Sequence, residues 1–317
     1  MPRGRRPYLP DGLLAHRGAP RSTAIICRWS GGRLTVPETG YRRRSQLDEI
    51  IAHVGTGRTL AVVVAHPDDD AYGLAGTVAL HAAEADFRFV LVHATDGGAG
   101  DIRSGFPATR ETLGAIRRGE CEAAWRTHGR VPDRHEWLGY PDGAVDQVPF
   151  SELVDRIAAI LAEEEPDVVA TFGPDGITAH PDHITVGAAT DAAFARFVEG
   201  DGPGFKRLVH RVLPTSVFER WQHQRREMGL PVFDTTKAYH GRGVPDKQIG
   251  VTVECATVAD RIVAGLLEHC SQLHVMVDDP IDIPRLRRIV SREWAVIAWP
   301  PRPAGAPMLT DMFEGLD

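Results

Sequence analysis

The stretch Val62-Val63-Val64-Ala65-His66-Pro67-Asp68-Asp69-Asp70 constrains this chain more than any other, because an apolar run stops abruptly at a histidine and three carboxylates. A β-branched run of this length reads as a buried strand. Pro67 cannot donate to a sheet ladder, so the polar group falls just past the strand's carboxyl end. Open α/β sheets place their ligand sites at that end. A second cluster, His180-Pro181-Asp182-His183, follows another apolar run, Val168-Val169-Ala170-Thr171-Phe172, after a loop containing Gly and Pro. Two strand ends can therefore bring histidines and carboxylates together.

Metal binding is the chemistry such a set invites. In a tight turn His66 and Asp69, three apart, can face the same way while Asp68 points elsewhere. On a helix begun by Pro181, His180 and His183 again share a face. Two imidazoles and one carboxylate make a three-ligand site with open positions, which suits catalytic zinc better than the closed four-ligand sites of structural zinc. The spare carboxylate is then free to act as a base. Either cluster alone also reads as a solvated polar turn or a helix cap. Their joint placement after buried strands is what favours a metal centre.

The residues also carry a resemblance. Ala65-His66-Pro67-Asp68-Asp69-Asp70 resembles the AHPDD(E/D) motif, and His180-Pro181-Asp182-His183 the HPDH motif, of the PIG-L/LmbE-like zinc-dependent de-N-acetylases. That superfamily includes the N-acetylglucosaminyl-phosphatidylinositol deacetylase and the deacetylases of mycothiol and bacillithiol synthesis. The resemblance runs over residues 59–272. It implies that His66, Asp69 and His183 bind Zn2+, with Fe2+ or another divalent ion as the alternative. It also implies that Asp68 is the general base and that His180 stabilises the oxyanion or protonates the leaving amine. Asp182 joins the catalytic set as the partner that orients an imidazole. The activity implied is hydrolysis of an N-acetyl group from a small amino-sugar derivative. Two alternatives stay open: an amidase acting on a larger sugar or thiol conjugate, and a silent metal or sugar binding module.

Two further features extend the candidate site. The loop Thr95-Asp96-Gly97-Gly98-Ala99-Gly100 resembles the family's T-x-G element, which places Asp96, Gly97 and Gly98 beside the substrate. It also reads as a plain βα turn needing positive φ at its glycines. Arg117 and Glu120 resemble the family's R-x-x-E, in which the arginine binds sugar hydroxyls. The same spacing makes a surface i, i+3 ion pair. No GxGxxG follows the first strand, which argues against a dinucleotide-binding oxidoreductase.

The predicted elements alternate. Strands are expected at 59–65, 87–94, 136–138, 168–172 and 208–213, with helices at 74–84, 108–128, 151–164, from 181, and at 216–228. This order implies an α/β, Rossmann-like fold with a mostly parallel sheet flanked by helices. Later come a strand at 249–253, a helix opened by a capping box at Thr257 and reaching 273, and a helix near 284–293. The expected domains are an Arg-rich, disordered extension at 1–44, a deacetylase domain at 45–300 and a loose C-terminal tail at 301–317.

Charge sharpens that division. Residues 1–44 hold ten arginines against Asp11 and Glu38, about +8, which leaves about −15 on the remainder. An acidic body argues against nucleic acid as a partner of the main domain. The four cysteines show no CxxC spacing and read as reduced thiols. No apolar stretch approaches the about 20 residues that cross a bilayer, and the N-terminus lacks a signal peptide's apolar core. The expectation is a cytoplasmic protein without membrane contact; a homo-oligomer is compatible with the sequence.

Overall fold

A computed structural model describes residues 57–198, 202–277, 281–303 and 305–316. The Arg-rich extension and a short helix expected at 45–54 lie outside these. All six residues of β1 (Thr59–Val64) are buried. Burial on both faces is the mark of a central strand in a parallel sheet, and the Val-rich run is its sequence signature. The chain continues through α1 (Ala75–His81), β2 (Arg88–His93), α2 (Arg110–His128), β3 (Arg134–Trp137), α3 (Phe150–Glu164), β4 (Val168–Phe172) and α4 (Pro181–Phe194). Then follow β5 (Arg207–Arg211), α5 (Thr215–Glu227), β6 (Val251–Glu254), α6 (Ala259–Leu266), α7 (Ile283–Ile289) and β7 (Arg292–Trp299). Single helical turns occur at Gly176–Ala179 and Leu273–Met276.

The seven described strands run in the order β3-β2-β1-β4-β5-β7-β6. The first five are parallel; β7 pairs antiparallel with both β5 and β6. Strand order reverses between β1 and β4, so the crevice past their carboxyl ends is the topological switch point where such sheets hold ligands. The amphipathic period of α3 is realised: Leu153, Val154, Ile157, Ile160 and Leu161 are buried. That helix stops at Glu165, which adopts a left-handed cap and returns its N–H to the Leu161 carbonyl, and Pro166 bars continuation.

Several expectations need correction. α6 ends at Leu266, and its N-cap is Val258 with no side-chain cap, so no capping box forms at Thr257. Past the helix the chain makes tight turns, and Ser271 gives its N–H and hydroxyl to the Glu120 carboxylate, at 2.8 and 2.6 Å. The helix expected near 284–293 is present but stops at Ile289, and β7 at Arg292–Trp299 takes the place of irregular chain after it. The segment after 301 is not loose: Met312 and Phe313 are buried, and Arg207 donates to the Met312 carbonyl at 2.6 Å. Cys121 and Cys255 are free and buried, as expected. Among the described residues no helix is long and apolar enough to cross a membrane.

Glu293 explains how β7 belongs to the site-bearing half. Its buried carboxylate accepts from Gly76 N at 2.6 Å, Thr77 N at 2.9 Å and Thr77 Oγ1 at 2.6 Å, which caps the start of α1. Burial raises its pKa, against these donors. Glu293→Ala strands two buried N–H groups, so a loss of about 2–4 kcal/mol is expected. A thermal melt should show it as a fall in Tm of roughly 5–10 °C.

Candidate active site

The turn after β1 is held in an unusual backbone shape. Asp68 adopts φ +114°, which costs a non-glycine residue on the order of 1–3 kcal/mol and persists only where neighbours impose it. Asp70 is such a neighbour. Its fully buried carboxylate accepts from Asp68 N at 3.1 Å, His93 Nε2 at 3.2 Å, Cys121 Sγ at 3.6 Å and Trp125 Nε1. The Asp68 carbonyl in turn accepts from Ala71 N and Tyr72 N, at 3.0 and 3.3 Å. The three carboxylates of the motif therefore divide: Asp70 anchors, Asp69 faces the histidines and Asp68 is presented between them.

Two imidazole nitrogens and the two oxygens of one carboxylate converge in the crevice. His66 Nδ1 lies 3.1 Å from His183 Nε2, His66 Nδ1 lies 3.2 Å from Asp69 Oδ2, and His183 Nε2 lies 3.2 Å from Asp69 Oδ1. A tetrahedral ion with ligands at about 2.0–2.1 Å sets its donor atoms about 3.3 Å apart, which the triangle of His66 Nδ1, His183 Nε2 and the Asp69 carboxylate approaches, and His180 lies close enough to both histidines to share the site. The other ring nitrogens are already committed. His66 Nε2 faces Asp142 Oδ1 at 3.0 Å and Asp182 Oδ2 at 3.2 Å, and His183 Nδ1 faces the Gly176 carbonyl at 3.0 Å. The His183 ring also stacks on Phe172, 4.2 Å between centroids. Burial works to neutralise His66, but Asp142, Asp182 and Asp69 raise its pKa well above the ordinary value. Such a surplus of buried carboxylates calls for a cation, either a proton or a metal ion.

Beside the triangle, the Asp68 carboxylate sits 3.1 Å from Arg117 Nη2. Burial raises its pKa to about 7, in spite of Arg117. His180 is the N-cap of α4, and its Nδ1 accepts from Asp182 N at 3.1 Å. Its ring lies 4.8 Å from His183 and 4.6 Å from His66. Burial, with His66 and His183 nearby, pushes its pKa down to about 4. His180 is therefore neutral at pH 7, with Nε2 carrying the proton.

Several expected residues play other parts. Asp182 is fully buried behind His66 and accepts from Gly143 N at 2.8 Å and Val145 N at 3.1 Å, so it positions the imidazole and has no access to substrate. Arg117 is not an open sugar donor. It is buried, with Nη1 on the Gly97 carbonyl at 2.8 Å and Nη2 on the Pro67 carbonyl at 2.7 Å as well as on Asp68. Nor does it pair with Glu120, which turns to Ser271. Asp96 closes its own loop by accepting from Gly98 N at 3.0 Å, which makes Asp96, Gly97 and Gly98 a turn built for Arg117. Gly97 has φ +67°, and a Cβ there would meet the guanidinium at 2.3 Å.

Sequence reasoning missed Asp142. Its carboxylate receives Ala99 N at 2.7 Å and braces His66, from a Pro-Asp-Gly turn just beyond β3. A carboxylate in a turn past a strand's carboxyl end was the available signal. His93, Cys121 and His135 are also spaced as ligands could be. Both His93 nitrogens are already engaged, with Asp70, His93 and His135 in series and His93 Nδ1 facing His135 Nε2 at 2.9 Å. Burial keeps the Cys121 thiol protonated, so this group serves packing.

Residues 61–194 match the family model described as PIG-L, GlcNAc-PI de-N-acetylase. A 1D-myo-inositol 2-acetamido-2-deoxy-alpha-D-glucopyranoside deacetylase 1 of Frankia casuarinae is 28% identical over 249 residues, covering 69% of this chain and 81% of the relative. The deacetylase of that substrate from Thermomonospora curvata is 29% identical over 253 residues, covering 71% and 84%. Among solved structures, N,N'-diacetylchitobiose deacetylase from Pyrococcus horikoshii aligns with TM-score 0.51 and 23% identity, over 76% of this chain and 84% of that one. GalB, a 4-carboxy-2-hydroxymuconate hydratase from Pseudomonas putida, aligns with TM-score 0.51 and 17% identity, over 78% and 98%. One architecture thus carries both a deacetylase and a hydratase, and these structural likenesses speak for the fold alone.

Proposed function

We propose, from the match of residues 61–194 to the PIG-L family model and the likeness to amino-sugar deacetylases, that the chain belongs to the PIG-L/LmbE-like de-N-acetylase superfamily and is a divalent-metal-dependent hydrolase, with zinc the favoured ion, that removes the N-acetyl group of an amino-sugar derivative. The observation that carries this reading is the triangle of His66 Nδ1, Asp69 and His183 Nε2 with an unliganded carboxylate, Asp68, beside it. When bound there, the ion supplies Lewis acidity and lowers the pKa of a water towards ~7.

The chain's own groups supply the rest. Asp68 takes the proton of the attacking water, and Arg117 holds its carboxylate towards the triangle. His180 Nε2–H donates to the oxygen that gains charge as the amide carbonyl becomes tetrahedral. The proton collected by Asp68 then goes to the departing amine, and acetate and a free amino sugar leave. Asp142 and Asp182 fix the His66 ring so that only Nδ1 turns inward.

Acetate release over a panel tests the proposal: N-acetylglucosamine, its inositol conjugate, N,N'-diacetylchitobiose and an acetyl-lysine peptide. The expected result is acetate from amino sugars, abolished by a chelator and restored by Zn2+ or Fe2+, and none from the peptide. Turnover of the peptide with none from any amino sugar would overturn the substrate class.

A further inference from the structure

Between α5 and β6 the chain makes a long excursion whose only regular element is the 3₁₀ turn Asp246–Gln248. It is nevertheless pinned along its length. Gln222 on α5 clasps Phe233 from both sides, donating to its carbonyl at 2.7 Å and accepting its N–H at 2.9 Å. The Phe233 ring packs on Trp221, 5.0 Å between centroids. Asp234 N donates to His240 Nδ1 at 2.7 Å, and Arg242 N donates to the Ile177 carbonyl at 3.0 Å, which ties the loop to the turn before His180.

Tyr239 stands at the crest of this scaffold. Its backbone is left-handed, φ +65°, and its ring meets His180 edge to face at 4.8 Å, yet the residue stays 64% exposed. A strained backbone that presents a large amphipathic ring to solvent, beside a candidate catalytic imidazole, is the mark of a ligand contact. The rings form a short ladder from solvent inwards: Tyr239, His180, then His66 and His183.

We propose that Tyr239 is a specificity-determining residue whose ring face stacks on the amine-bearing sugar ring of the substrate. The role rests on the deacetylase reading above. In that reaction the carbonyl oxygen meets His180 and the amide nitrogen faces Asp68, so the small acyl group is held at the inner end of the crevice and the amine-bearing ring extends outwards past His180. The carbon skeleton attached to that nitrogen then lies on the outer side of His180, where Tyr239 stands. Tyr239 therefore discriminates among amines and not among acyl groups.

Kinetics of the full chain with Tyr239→Gly and Tyr239→Phe test this. Glycine suits φ +65° and should leave Tm and metal content unchanged. With N-acetyl-glucosamine conjugates it should raise KM about tenfold, the scale of one stacking contact, with kcat within about twofold. The rise should be equal for acetyl and propionyl substrates, and Tyr239→Phe should restore the wild-type KM. An unchanged KM in Tyr239→Gly overturns the proposal, as does a phenylalanine variant as weak as the glycine one or a KM change that follows the acyl group. Failure of the wild-type protein to turn over any amino sugar would instead remove the deacetylase reading itself, and this role with it, before any substitution is compared.

Discussion

Asp68→Asn is expected to keep the divalent ion and the fold while lowering kcat by about 10²-fold or more, the usual contribution of a positioned base. Asparagine preserves the acceptor that faces Arg117 Nη2 and tolerates positive φ better than most residues. What it cannot do is take a proton. The discriminating measurement is acetate release in a single turnover at saturating substrate, with metal content determined on the same preparation. A variant that is both metal-loaded and fully active would falsify the role of Asp68 as base.

His183→Ala should show the second large effect, loss of the ion. It deletes one corner of the triangle and leaves His66 Nδ1 and Asp69 as the remaining donors. Substitutions behind a metal site, such as Asp142→Asn at His66, typically weaken affinity about 10- to 100-fold. Deletion of a direct ligand should exceed that, and elemental analysis after dialysis should find His183→Ala nearly metal-free. The missing ring also leaves a gap against Phe172, so His183→Gln, which fills it better, should separate metal loss from unfolding. Full metal occupancy in His183→Ala would show that the ion sits elsewhere.

The legible parts of this molecule are those in which one short stretch encodes both an element and its chemistry. Val62 to Val64 and Val168 to Phe172 announce buried strands, and the polar clusters beyond them fall at the switch point because parallel topology puts strand ends together. Asp142 was legible only as a carboxylate in a turn past a strand end; that it reaches back to His66, more than 70 positions earlier, depends on the sheet bringing the two strand ends together. Arg117 was legible as a helix residue near the site, but spacing alone cannot tell an outward donor from one folded back onto Pro67 and Gly97. β7 was hidden for a functional reason: its inward face reads Glu293, Ala295, Ile297, and a buried carboxylate spoils the apolar alternation that announces a strand.

The position of β7 also sets an order on synthesis. All three corners of the triangle, together with β1 to β4, are encoded by residue 183, so the metal-holding half can collapse while the ribosome is still translating. β5 has no partner on its far side until residues 292–299 emerge, and α1 waits as long for the Glu293 carboxylate. During that interval the nascent chain carries an open strand edge, the feature that invites pairing with other chains. A premature stop before codon 292 would make the interval permanent, giving a product with every metal ligand in its sequence and a half-built sheet free to aggregate.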